Sequence, residues 1–124
     1  MGSPKTIFCD LDGTLVKHNE PAEIQNPNLI LEVLPGVIEK FREWDGKGYR
    51  IIITTGRKES ARESTIKQLQ RAGITYDQLV MGVGNGNRIL INDKITDVSF
   101  DRSIGINVIT NGGFEKTDWE KYGL

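Results

Sequence analysis

Apolar residues along this chain fall into short clusters separated by polar and glycine-rich stretches, and the spacing inside each cluster predicts an element. Lys5 to Cys9 ends in the run Ile-Phe-Cys and stops at Asp10, the pattern of a first strand. A polar stretch from Lys17 to Asn28, holding Pro21 and Pro27, reads as a loop or flap. After Pro35-Gly36, residues Val37, Ile38, Phe41 and Trp44 recur at helical spacing, and Gly46 or Gly48 ends that helix. Tyr49 to Thr54 contains Arg-Ile-Ile-Ile-Thr, β-branched and continuously apolar, as in a strand covered on both faces of a parallel sheet. A second helix from about Lys58 to Ala72 presents Ala61, Thr65, Ile66, Leu69 and Ala72 on one side, with Gly73 as its terminator. Leu79 to Met81, Arg88 to Asn92 and Ile106 to Thr110 read as three more short strands, and Asp97 to Ser103 is too mixed to assign.

Strands alternating with helices predict a three-layer α/β/α, Rossmann-like domain with a mostly parallel central sheet. In such sheets ligands bind beyond the carboxyl ends of the strands. The residues at those ends are therefore the candidates for chemistry: Asp10 and Asp12, then Thr54 to Arg57, then Asn92 to Asp97 after Ile89-Leu90-Ile91. The expectation is that these three ends converge on one rim.

Composition narrows the class. The 124 residues fit one domain, residues 1–124, which would bury about two-thirds of its unfolded surface without needing a disulfide or structural metal. Fourteen glycines indicate tight turns between short elements, not a coiled coil or helical bundle. A net charge of −1 gives no overall electrostatic footprint for nucleic acid or an anionic membrane, although it leaves room for a local basic patch. Cys9 is the only cysteine, which excludes an internal disulfide and suits a reducing cytoplasm. No stretch is long and apolar enough for a membrane span, and the first residues lack the apolar core of a secretory signal. A soluble cytoplasmic protein without a membrane partner is expected.

The sharpest chemical feature is Asp10-Leu11-Asp12-Gly13-Thr14. Two like charges where a buried strand leaves the core repel each other unless a cation or positive group sits between them. Asp10 and Asp12 share a face while the chain is extended, Leu11 points the other way, and Gly13 lets the backbone turn beside them. An ordinary acidic turn uses the same residue types, so the meaning of the motif depends on its partners.

With those partners, the chain resembles the haloacid dehalogenase-like superfamily of aspartate-nucleophile phosphatases over nearly its whole length. Asp10-Leu11-Asp12-Gly13-Thr14 matches the first family motif in full, and Ile51-Ile52-Ile53-Thr54-Thr55-Gly56-Arg57 resembles the second, with Thr55 the better phosphate-binding candidate. Asn92-Asp93-Lys94-Ile95-Thr96-Asp97 resembles the acidic fourth motif. The third motif departs from the pattern: a typical member has a Lys shortly before the fourth, yet Val80 to Asn92 contains none and offers only Arg88. Arg88, able to grip phosphate bidentately, or Lys94 would take its place. The glycine-rich stretch Gly82-Val83-Gly84-Asn85-Gly86-Asn87 is read as a loop.

What the resemblance implies is a Mg²⁺-dependent phosphatase in which Asp10 attacks phosphorus to form an aspartyl-phosphate and Asp12 serves as acid and then base. Asp10, the Asp12 carbonyl and Asp93 would ligate Mg²⁺. Gly13, Thr55, Gly56 and Arg57 would frame the phosphate, Arg88 or Lys94 would neutralise it, and Asp97 would orient that cation or a metal-bound water. Cap domains in the family follow the first motif or lie between the second and third. Here both intervals are filled by predicted elements, so the protein is expected to be capless. An open site suits a bulky phosphorylated substrate, such as a protein, a nucleic-acid end or a glycan precursor, unless a homo-oligomer or the flap supplies a lid. A small sugar phosphate is the other substrate class. His18, in the flap, is read as solvated. The contrasting reading is a non-catalytic phosphate- or metal-binding domain that lost turnover with its motif-three lysine.

Overall fold

The computed structural model describes residues 3–124. Its sheet has three parallel strands, β1 (Thr6–Cys9), β2 (Arg50–Thr54) and β3 (Gln78–Val80), side by side in that order. The register sets Phe8 beside Ile52 and Cys9 beside Ile53, and Ile53 beside Leu79. Between strands run a one-turn helix α1 (Pro21–Ile24), then α2 (Val37–Gly46), and then α3 (Arg62–Ala72), which is entered through a 3₁₀ turn at Glu59–Ala61. A second 3₁₀ turn, Glu120–Tyr122, lies near the end of the chain.

Strands taken in sequence order with right-handed crossovers send both long helices to the same face. Ile51 and Ile53 of β2 are buried there in one cluster with Phe41 and Trp44 of α2 and Leu69 of α3. The opposite face, where a third layer would lie, leaves Phe8 56% and Val80 42% exposed. The expectation that β2 is covered on both faces thus holds for one face only, with Ile52 half-buried on the other.

The helices end as their sequences predict. Gly36 and Gly48, both left-handed, bracket α2, and Gly73, at φ 76°, closes α3 while Ile74 N–H donates back to Leu69 O. Of the α3 face expected to be apolar, Ala61, Thr65 and Leu69 are buried, but Ile66 is 40% exposed. Its place against the core is taken by polar Ser64 and Gln68.

The largest departure concerns residues 84–110. Arg88 to Asn92 and Ile106 to Thr110 are not strands, and Ile89, Leu90 and Ile91 are 77%, 55% and 88% exposed. A β-branched run becomes a strand only against a neighbour that pairs and packs with it. Two exposed ion pairs cross the segment. Arg102 bonds Asp93 at 2.9 Å and Lys94 bonds Asp101 at 2.9 Å, in antiparallel order. Among the described residues, no helix is long and apolar enough to cross a membrane.

The chain returns to the core at Phe114 and Trp119. Phe114 stacks edge-on against Trp119 with centroids 4.9 Å apart, and Trp44 sits 6.0 Å and 5.5 Å from the two rings. Gly113 makes this return possible. At φ 79° it passes so close to Pro35 that a Cβ would lie 2.6 Å from the Pro35 carbonyl oxygen. Gly113→Ala is therefore expected to destabilise the fold by about 2 kcal/mol or more, read as a lower urea midpoint; an unchanged midpoint would mean that this turn relaxes freely.

Candidate active site

Beyond β1 the backbone turns within three residues. Leu15 N–H donates to Leu11 O at 2.9 Å and Gly13 N–H to Val16 O at 2.7 Å, with Gly13 left-handed at φ 86°. Leu11 is sealed in the core and the two carboxylates are turned to the rim, as the alternation predicts. The Asp10 side chain is 45% exposed and Asp12 only 14%. Thr14 Oγ1 donates to Asp10 Oδ2 at 3.4 Å, and Arg88 Nη2 stands 3.9 Å from Asp10 Oδ1. Arg88 is fixed by donating from Nη1 to the carbonyls of Gly84 and Gly86, both at 2.9 Å. Beside it, a shallow cavity of about 440 Å³ is lined by Val83, Gly84, Gly86, Asn87, Arg88 and Ile89.

Asp12 has a partner that the sequence reading assigned elsewhere. Arg57 donates from Nε to Asp12 Oδ2 and from Nη2 to Asp12 Oδ1, both at 2.8 Å, a bidentate fork. Its remaining nitrogen, Nη1, donates to Thr65 Oγ1 at 3.0 Å and Gln68 Oε1 at 2.6 Å. Arg57 is 5% exposed and its guanidinium is committed, so it is not offered to a substrate phosphate as expected. Arg57 N–H donates to Thr55 Oγ1 at 3.1 Å in a tight turn after β2, and the side chain ends where Asp12, Thr65 and Gln68 meet.

The other expected substrate contacts divide. Thr55 lies just past β2, only 1% exposed, and its hydroxyl still has a proton to donate. Gly56 is exposed, and a Cβ there would meet Val83 O at 3.1 Å, so the glycine-rich loop passes close beside it. Gly13 has spent its N–H on Val16 and has none left for phosphate.

The third strand end does not join the other two. Asp93 is held by Arg102 and Lys94 by Asp101, and Asp97 is exposed. Among the described residues no three His, Cys, Asp or Glu side chains gather as a metal cage, so Asp93 does not stand with Asp10 and Asp12. Convergence failed because it required Ile89-Leu90-Ile91 to be a strand of the sheet. The donors at this turn are the half-exposed Asp10 carboxylate and the Asp12 main-chain carbonyl, which accepts no hydrogen bond among the described residues. These are hard oxygens, and a small divalent cation such as Mg²⁺ is often held by one or two such protein ligands, with water and phosphate completing its shell. The residues present fit such an ion.

Several participants escaped the sequence reading. Asn19 Nδ2 reaches Asp12 Oδ1 at 3.4 Å from the flap, and Asn111 Oδ1 accepts from His18 N–H at 2.8 Å while Asn111 N–H donates to Gly13 O at 2.8 Å. Asn111 is left-handed at φ 61°, which its short amide side chain tolerates. A signal existed for Thr65 and Gln68: polar residues on the side of α3 that also carries Leu69. Cys9, the residue before Asp10, is a buried thiol whose pKa burial pushes far up, with the Asp10 charge adding to the effect, so it is inert.

Residues 4–89 match the phosphatase domain of polynucleotide kinase PNKP. The chain thus belongs to the haloacid dehalogenase-like superfamily and, within it, to the PNKP phosphatase-domain family. Among solved structures, a chain of the Pnkp1/Rnl/Hen1 complex is similar at 29% identity, with a TM-score of 0.55 over 69% of this chain and 30% of that one. A chain of the Pnkp1/Rnl/Hen1 RNA repair complex is similar at 30% identity, TM-score 0.55, over 68% of this chain and 28% of that one. This chain therefore spans less than a third of the length of either. A structural-genomics target from Vibrio cholerae shares the fold at 23% identity, TM-score 0.52, over 71% of this chain and 79% of that one.

Proposed function

We propose that this protein is a Mg²⁺-dependent phosphatase that removes a terminal phosphate from a bulky substrate through an aspartyl-phosphate on Asp10. The observation that carries the reading is the rim itself: an accessible Asp10 carboxylate flanked by Thr14 and Arg88, with Asp12 beside it and oriented by a buried fork. Asp10 Oδ attacks phosphorus as the bond to the leaving oxygen breaks, and Asp12 gives that oxygen its proton. Water then attacks the aspartyl-phosphate, its proton passes to Asp12, and inorganic phosphate leaves with Asp10 regenerated. Mg²⁺ held by Asp10 and the Asp12 carbonyl would supply charge neutralisation at the phosphoryl oxygens. Arg88 and the Thr55 hydroxyl would hold the same oxygens.

A bulky substrate is favoured because Asp10 stands exposed, with the shallow Arg88 cavity beside it. The family name and the RNA repair complex make a polynucleotide bearing a terminal phosphate the first substrate to try, with sugar phosphates as the comparison. The alternative, a non-catalytic phosphate- or metal-binding domain, draws on Asp93, which pairs with Arg102 and does not stand with Asp10 and Asp12. Purified full chain is expected to release phosphate from p-nitrophenyl phosphate with Mg²⁺ and to stop with a chelator. Arg88→Ala should weaken competitive inhibition by inorganic phosphate about tenfold, the scale of one charge-assisted contact, whereas Lys94→Ala should leave it unchanged. No Mg²⁺-dependent release would favour the binding-domain reading, and the reverse order of effects would exchange Arg88 for Lys94.

A further inference from the structure

Gln68 has no solvent exposure, yet its amide bonds two separate parts of the chain. Oε1 accepts from Arg57 Nη1 at 2.6 Å, and Nε2 donates to Ile24 O at 2.9 Å and to Asn26 O at 2.8 Å. Only this orientation of the amide works, because a guanidinium offers no acceptor and a carbonyl offers no donor. Its neighbours on α3 hold the same stretch. Ser64 Oγ donates to Ile24 O at 3.1 Å, and Arg71 Nη1 donates to Pro27 O at 3.0 Å. The flap therefore rests on α3 through its main-chain carbonyls, and of the three side chains only Gln68 also grips Arg57, which grips Asp12.

The base of the flap is closed by the Val16–Val33 bridge and by Lys17 N–H donating to Glu32 O at 2.9 Å. Its early part reaches the same carboxylate, with Asn19 Nδ2 3.4 Å from Asp12 Oδ1. Burying a guanidinium, a carboxylate and an amide together stabilises a fold no better than apolar side chains of the same volume. What a fully satisfied polar chain provides is one fixed geometry.

We propose that Gln68 is a positioning residue for Asp12, coupling the seating of flap residues 19–28, through Arg57, to the orientation of the Asp12 carboxyl. This rests on the acid–base role of Asp12 given above, while the coupling itself is independent of turnover. With the flap seated, Gln68 is held at both ends and the Arg57 fork is fixed. When the flap lifts, Gln68 loses two acceptors, the fork loses an anchored partner, and Asp12 is aligned only once the flap returns.

The test uses the full chain, amide hydrogen exchange of residues 19–28, and hydrolysis of p-nitrophenyl and phenyl phosphate. Gln68→Glu is isosteric. Its carboxylate still accepts from Arg57 but repels the carbonyls of Ile24 and Asn26. Gln68→Met, which keeps the volume without the charge, replaces it if the first variant does not fold. Arg57→Lys keeps the charge and loses the fork. Both substitutions should speed flap exchange, Arg57→Lys included, although Arg57 makes no hydrogen bond to the flap. Gln68→Glu should also lower kcat for phenyl phosphate, whose poor leaving group needs the Asp12 proton, about tenfold more than for p-nitrophenyl phosphate, with KM nearly constant. Flap exchange unchanged in either variant overturns the coupling, whatever the activity. Faster exchange with equal losses on both esters overturns the positioning of Asp12. If the unaltered chain hydrolyses neither ester, the phosphatase reading falls and the exchange result alone decides the coupling.

Discussion

Asp10→Asn is expected to lower phosphate release by a factor on the order of ten thousand, the scale on which a covalent nucleophile is missed. The substitution leaves the fold nearly unchanged. Asn fills the same volume, Thr14 and Arg88 keep a polar neighbour at 3.4 Å and 3.9 Å, and a side chain 45% exposed adds little to the fold. The amide, however, cannot form the acyl phosphate, so acid-quenched single-turnover reactions should trap phosphate on the unaltered chain and none on the variant. Because Asp10 is also the proposed Mg²⁺ ligand, phosphate binding is compared without Mg²⁺, where loss of one negative charge beside Arg88 should leave it intact or tighter and so separate a chemical defect from a binding one. Activity that survives the change would move the nucleophile elsewhere.

The second large effect is structural. Trp44 is 1% exposed and touches three aromatic rings, Phe41, Phe114 and Trp119, at centroid distances of 5.7, 6.0 and 5.5 Å. Trp44→Ala should cost about 3–5 kcal/mol, a large part of the roughly 5–15 kcal/mol that holds a domain together. Trp44→Phe should cost much less. The indole Nε1 is buried without a hydrogen-bond partner, and removing such an orphan donor recovers about 1–3 kcal/mol against the smaller ring. Chemical denaturation of the two variants checks this: if Phe is as damaging as Ala, ring volume outweighs the unpaired N–H.

Much of the sheet and both long helices were legible because their signals are local. Apolar spacing gave α2 and α3 to within a few residues, and Gly48 and Gly73 marked the ends, where a left-handed residue is needed. The same local logic failed for Arg88 to Asn92, whose Ile-Leu-Ile run has strand composition but no strand beside it. At the site, the turn after Asp10 was readable from Asp-Leu-Asp-Gly, whereas the role of Arg57 was not. Whether a guanidinium faces phosphate or a carboxylate depends on what the fold places under it, and Asp12, Thr65 and Gln68 come from two distant segments. Gln68 looked like a polar residue on a helix otherwise read from its apolar positions, and only its neighbours in space give it a task.

The contact of Phe114 and Trp119 with Trp44 has a consequence for how the molecule is made. Those rings belong to segments far apart in the chain, so their meeting carries a large loop-closure cost and is a slow, non-local event. A ribosome that has released the chain only as far as β3 has delivered the whole sheet and both long helices, with Trp44 still uncovered. Until Gly113 passes beneath Pro35, that nascent chain displays an unclosed aromatic core, and it is in this interval that a chaperone has most to protect.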